Sequence, residues 1–132
     1  MRTIDAETVN TLLAPPSLVT ALHGAFRDSV ETPVRHHHTA PMGTREADDA
    51  AIVRARIFVD TRAGAMSEAG DIVQPLEARL LAPEDILAEL AELCRDEHPS
   101  RTDPNEISLF KSVETALEDL AAAELLIDRL EP

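Results

Sequence analysis

The sequence predicts an α+β chain in which helices pack on a small mixed sheet. Two observations lead there. Helical patterns outnumber strand patterns, and the strand candidates number only about three, short and far apart, where a sheet usually needs at least that many to stand. A third observation, 44% hydrophobic residues in 132, marks a folded core, and with three Phe and no Trp or Tyr that core is built from Leu, Ile, Val and Ala. The length is that of one domain.

Asp5 is placed to cap a first short helix, with Glu7 complementing its dipole, and Pro15-Pro16 to stop it. Ser17 then caps a second helix whose Leu18, Leu22, Ala25, Phe26 and Val30 share a face, ending at Thr32-Pro33. Val34 to Thr39 reads as a strand, Ala40 to Gly43 as a turn, and Glu46 to Val53 as a short helix. Arg56-Ile57-Phe58-Val59-Asp60 is the clearest strand; a turn at Gly64 and one helical turn over Ser67–Ala69 follow. Pro83 opens a helix carrying the stripe Ile86, Leu87, Leu90, Leu93 and Cys94, closed by His98-Pro99. A polar loop from Ser100 to Glu106 leads into a strand over Ile107–Phe110 and a last helix with Val113, Ala116, Leu117, Leu120, Ile127 and Leu130 near one face.

The net charge of −13 argues against nucleic acid and anionic membranes as partners, since both would be repelled. It also opposes NADP, whose extra phosphate needs a basic pocket. The single cysteine, Cys94, excludes an intramolecular disulfide and reads as a buried, inert thiol. No apolar run approaches the ~20 residues that span a bilayer, and Met1 to Asp5 begins no signal peptide, so a cytoplasmic location is expected.

Few residues invite chemistry. His36-His37-His38 would alternate between the faces of a strand and so not converge on a metal; no metal site is expected. Asp60, Glu68 and Asp71 lie close in sequence and could pair for acid–base work, although turn and cap roles explain them as well. No nucleophile–base pair is evident, and no catalytic residue is assigned.

Two blocks resemble the ornithine cyclodeaminase/mu-crystallin family. One runs from Ile4-Asp5-Ala6-Glu7-Thr8-Val9 to Thr32-Pro33-Val34-Arg35-His36. The other carries Arg54-Ala55-Arg56-Ile57-Phe58-Val59-Asp60, Glu68-Ala69-Gly70-Asp71 and Phe110-Lys111-Ser112-Val113. The resemblance implies one domain, 1–132, made of the family's N-terminal segment (1–42) joined to its C-terminal segment (44–132): a reduced substrate-binding and dimerisation domain, and hence a homodimer. Members are NAD(P)-dependent ornithine cyclodeaminases, cyclic imine reductases and binding proteins, so an amino-acid-like small molecule is the implied ligand. Between Pro41 and Thr44 the family's substrate lysine and glycine-rich phosphate loop have no counterpart. Gly24, Gly43, Gly64 and Gly70 are not spaced to cradle a diphosphate. The missing stretch is the size of a domain, roughly one to two hundred residues.

By position, the resemblance makes Arg35 the arginine that grips a substrate carboxylate, a task suited to its planar fork. It makes Ser112 the cofactor-side residue facing the nicotinamide carboxamide. The alternatives are a strand arginine paired with one of many acids, and a helix N-cap serine. Glu114 stands where the family usually has glycine. The expectation is a scaffold without catalysis or a bound cofactor of its own, NAD being the family's. Two alternatives stand beside it: an enzyme half completed by another chain, and an acidic protein-interaction module.

Overall fold

A computed structural model describes residues 3–28 and 47–131, which fall into two compact units. The strand expected over Val34–Thr39, Arg35, the histidine run and the turn at Ala40–Gly43 lie outside the described residues.

The first unit holds α1 (Ala6–Leu12), α2 (Pro15–Arg27) and α7 (Ala116–Leu130). Asp5 caps α1 as expected, accepting from Thr8 N at 2.8 Å, and that N–H holds its carboxyl below the usual aspartate range. Pro15 and Pro16 do not simply end α1; they open α2, with Ala14 and not Ser17 at the N-cap. Proline suits that place because the first helical N–H groups have no intrahelical partner anyway. Phe26 on α2 and Leu117 and Ala121 on α7 are buried, and the Arg129 guanidinium of α7 donates to the Leu12 carbonyl.

The second unit is a parallel sheet with its connecting helices. In chain order it contains α3 (Asp49–Arg54), β1 (Arg56–Val59), α4 (Arg62–Glu68), α5 (Gly70–Glu77), β2 (Ile86–Glu89), α6 (Leu90–Cys94) and β3 (Ser108–Lys111). Helices on a small sheet stand as expected; where a mixed sheet was anticipated, the described strands all run parallel, in the order β2-β1-β3. Ile57 faces Ile86 across one edge of β1 and Leu109 across the other, with an irregularity after Ile57 on the β2 side.

The helix expected from Pro83 to Cys94 is replaced by a 3-10 turn (Pro83–Asp85), then β2, then α6. Its apolar stripe satisfies a helix and a strand equally. Pairing with β1 decides, and Ile86 and Ala88 then alternate buried with the half-buried Leu87 and Glu89. Between β1 and β2 the chain is more helical than one turn: α4 is capped by Thr61, whose Oγ1 accepts from Gly64 N at 3.2 Å, and α5 follows directly. The helix expected from Glu46 begins at Asp49, because the Asp48 side chain caps it by accepting from Ala51 N at 2.7 Å.

Ile57 and Val59 of β1 point into a cluster with Ile52, Ala65, Ala69, Ile72, Leu81 and Ile86. Phe58 points to the opposite face, where the His98 ring meets it edge-on at 5.6 Å. Cys94 is buried, and burial pushes its thiol pKa up, as expected of an inert cysteine.

The loop before β3 is pinned by charge. Glu106 accepts from Thr102 N at 3.0 Å and from the Arg56 guanidinium at 2.9 Å, and those bonds hold its carboxyl near pKa 2, far below its ordinary 4.5. A lowered folded-state pKa stabilises the fold above the unfolded value and is lost as protons bind on the way down to the folded one. Stability is therefore expected to fall between pH 4.5 and about 2, and Glu106→Gln should flatten that segment of a urea-midpoint profile. An unchanged profile would mean that Glu106 is not engaged in solution.

Candidate functional site

Parallel strands gather their exit loops at one end, and in open α/β sheets ligands sit outside those carboxyl ends. Here the end is polar. β1 delivers Asp60 and Thr61, β2 delivers Glu89, and β3 delivers Lys111, Ser112, Val113 and Glu114.

Asp60 is the centre of the arrangement. It is 1% exposed. Its Oδ1 accepts from Thr61 N at 2.6 Å, while its Oδ2 accepts from Ser112 Oγ at 2.9 Å and from Val113 N at 2.7 Å. One buried side chain thus ties the loop after β3 to the end of β1.

Ser112 is exposed and does not cap the last helix, which begins only at Ala116. Its hydroxyl donates to Asp60 and accepts from Glu114 N at 3.1 Å. Glu114 sits at φ 65°, the left-handed region, because the chain must turn back from Val113. A side chain there costs about 1–2 kcal/mol relative to glycine. Glu114→Gly is accordingly expected to stabilise the protein by about 0.5–1 kcal/mol, once glycine's greater unfolded-state freedom is subtracted. A lower melting temperature in the variant would refute the strain.

Of the three acids weighed from the sequence, two are buried. Asp71 accepts from Ala47 N at 3.0 Å and pairs with Lys111 Nζ at 3.1 Å. Asp60 and Asp71 therefore each hold neighbouring structure, whereas Glu68 is exposed. Arg62 links α4 to both α6 and β2: its Nη1 lies 2.6 Å from Glu92 Oε2, while its backbone N donates to Glu89 Oε1 at 2.6 Å. Glu92 also accepts from Glu89 N at 2.6 Å; that bond, then the guanidinium, keeps its carboxyl below the usual glutamate range. The links of Asp71 to Ala47, Arg62 to Glu89 and Glu92, and Asp60 to Val113 join residues 24 to 53 positions apart and leave no local signal. Among the described residues no cluster of three or more His, Cys, Asp or Glu is arranged for a metal, and no helix is long and apolar enough to cross a membrane.

Among the described residues, little at this end suits a dinucleotide's diphosphate. The diphosphate finds no cradle among the described glycines. A Cβ on Gly64 would lie 2.7 Å from Val113 Cγ2 and 2.8 Å from Thr61 Oγ1, so the space beside it is already filled by this chain. Gly24 lies within α2, and Gly70 is buried at the start of α5.

Parallel strands joined through helices, with a pinned polar loop at their carboxyl ends, define the second unit as an open α/β sheet. Its family follows from sequence. Residues 38–132 match the ornithine cyclodeaminase/mu-crystallin family, and the chain belongs to it. The Delta(1)-pyrroline-2-carboxylate reductase of Colwellia psychrerythraea is 40% identical over 86 residues, covering 65% of this chain and 27% of that protein. Mouse ketimine reductase mu-crystallin is 38% identical over 84 residues, covering 64% and 24%. Among solved structures, the Thermococcus litoralis Delta(1)-pyrroline-2-carboxylate reductase in complex with NADH and L-proline superposes with a TM-score of 0.62 at 35% identity, over 64% of this chain and 26% of that one. The chain thus spans about a quarter of the length of these relatives.

Proposed function

We propose that this chain carries the closing part of an imine-reductase-type scaffold and, by itself, transfers no hydride. The observation that carries this reading is the occupied space at Gly64. A Cβ on Gly64, in the helix after β1, would meet Val113 Cγ2 at 2.7 Å, so the open face of this glycine is covered by the chain itself and not free to approach a diphosphate. In this reading Ser112 borders the place of a nicotinamide ring, Arg35 grips an amino-acid-like carboxylate, and the protein is a cytoplasmic homodimer.

Isothermal titration of the full chain with NADH tests it. Affinity weaker than micromolar, and no turnover of Delta(1)-pyrroline-2-carboxylate, is the expected result; a micromolar dissociation constant overturns it. Light scattering after size exclusion tests the assembly: a dimer is expected, and a clean monomer refutes that part.

A second reading has one observation in its favour. The pinned loop after β3 is complete in this chain, so a separate polypeptide bearing a glycine-rich phosphate loop would find one wall of its site ready made. Co-expression with such a partner and recovery of NADH oxidation would favour this enzyme half over the inert scaffold.

A further inference from the structure

In the first unit, α2 sets Ala21, Gly24 and Ala25 on one face, three and four positions apart, and α7 sets Leu117, Ala121 and Leu125 against them at every fourth position. Between the two helices runs an open furrow of about 350 Å³. A Cβ added at Gly24 would meet nothing within 4 Å. Glycine inside a helix is destabilising relative to alanine, because it loses more freedom on folding. The described packing gives no reason for it here, since a methyl group has room. What the glycine does is widen the furrow and bare its backbone.

The polar part of the lining has one sign. Asp28, Glu124 and Asp128 border the furrow, and no lysine or arginine does. The one basic side chain of α7, Arg129, is turned to the Leu12 carbonyl. Among the described residues, none of the three acids is held in an ion pair.

We infer that this furrow docks a helix of another polypeptide, one with a narrow apolar stripe bordered by lysine or arginine. A furrow between two helices receives the ridge of a third, and small residues let the backbones approach. The acids then meet the flanking cations, which orients the partner and rejects acidic ones. An extended peptide would need backbone partners, and the interior of a helix has already spent its own. A second copy of this chain fits worse, since it brings a net charge of −13 to an acidic rim. The inference does not depend on how the loop after β3 is read.

The test uses the full chain and a synthetic peptide of about eighteen residues, long enough to form a helix, with leucines on one face and lysines elsewhere. A second peptide of the same composition has its leucines scattered around the helix. Nitrogen-edited NMR follows the amides of Gly24, Ala25, Ala121 and Leu125. The striped peptide should shift them and bind at least about ten-fold more tightly than the scattered one. Gly24→Leu fills the furrow and should weaken binding at least about ten-fold. Asp28→Asn, Glu124→Gln and Asp128→Asn together should weaken it about as much and remove most of its salt dependence. That exposed triple change keeps the test decisive if Gly24→Leu does not fold. Gly24→Ala should raise the melting temperature, and a fall overturns the open space. Equal binding of the two peptides, or binding indifferent to both sets of changes, reduces the contact to charge attraction and overturns the inference. Shifts at Gly24 and Ala121 that follow protein concentration without peptide would make a second copy the occupant and overturn it too, as would no shift at these amides.

Discussion

Asp60→Ala is expected to cost about 3 kcal/mol of stability or more, the largest loss of any single polar truncation in the second unit. The substitution removes the acceptor from Thr61 N, Val113 N and Ser112 Oγ together, in a place where water hardly enters. Each stranded buried donor costs about 1–3 kcal/mol, and Ser112 escapes most of that by turning to solvent. Asp60→Asn retains one carbonyl and should fall between the two. Urea unfolding measures the loss, and hydrogen exchange at the Val113 amide locates it. A loss below about 1 kcal/mol would show that the loop after β3 is held by something other than this carboxylate.

Gly64→Val should cost about 2–3 kcal/mol, by overpacking. Even a Cβ at this position lies 2.7 Å from Val113 Cγ2, and a branched side chain adds two methyl groups in the same space. A valine ordinarily loses little in a helix compared with glycine, so a large destabilisation must come from the contact. Val113→Ala makes room. The double variant should recover at least about 1 kcal/mol relative to the sum of the single changes, a coupling that a thermodynamic cycle reads directly. Simple additivity would mean that the loop moves aside freely, and the account of the filled space beside Gly64 would then be wrong.

Much of this architecture was legible in the chain, for reasons that differ by element. Asp5 and Glu7 announce α1 because a cap is a local interaction between near neighbours. The run Arg56–Val59 announces β1 because branched and aromatic residues crowd into it. The stretch from Ile86 to Cys94 deceived, since its apolar spacing suits two periods and only pairing with a strand some thirty residues earlier settles which one wins. Pro15 and Pro16 show the same limit in small: proline ends one helix and begins the next, and neighbouring residues alone do not say which role governs. At the site, Ser112 was legible through its resemblance and Asp60 only as one of three nearby acids. What joins them is a contact across 52 positions, and no local pattern encodes it. Arg35 lies outside the described residues.

The order of strands also dictates how this unit must be assembled in time. β1 lies between two partners that both come later in the chain, and neither pairing is a hairpin. None of the described strands can zip locally; each waits for a long loop to close before its ladder forms. A chain emerging from the ribosome would therefore display Ile57, Phe58 and Val59 with both edges bare until Ile86–Glu89 has been made, and with one edge bare until Phe110 follows. Slow, non-local folding with a long exposed interval is the kinetic signature this topology imposes.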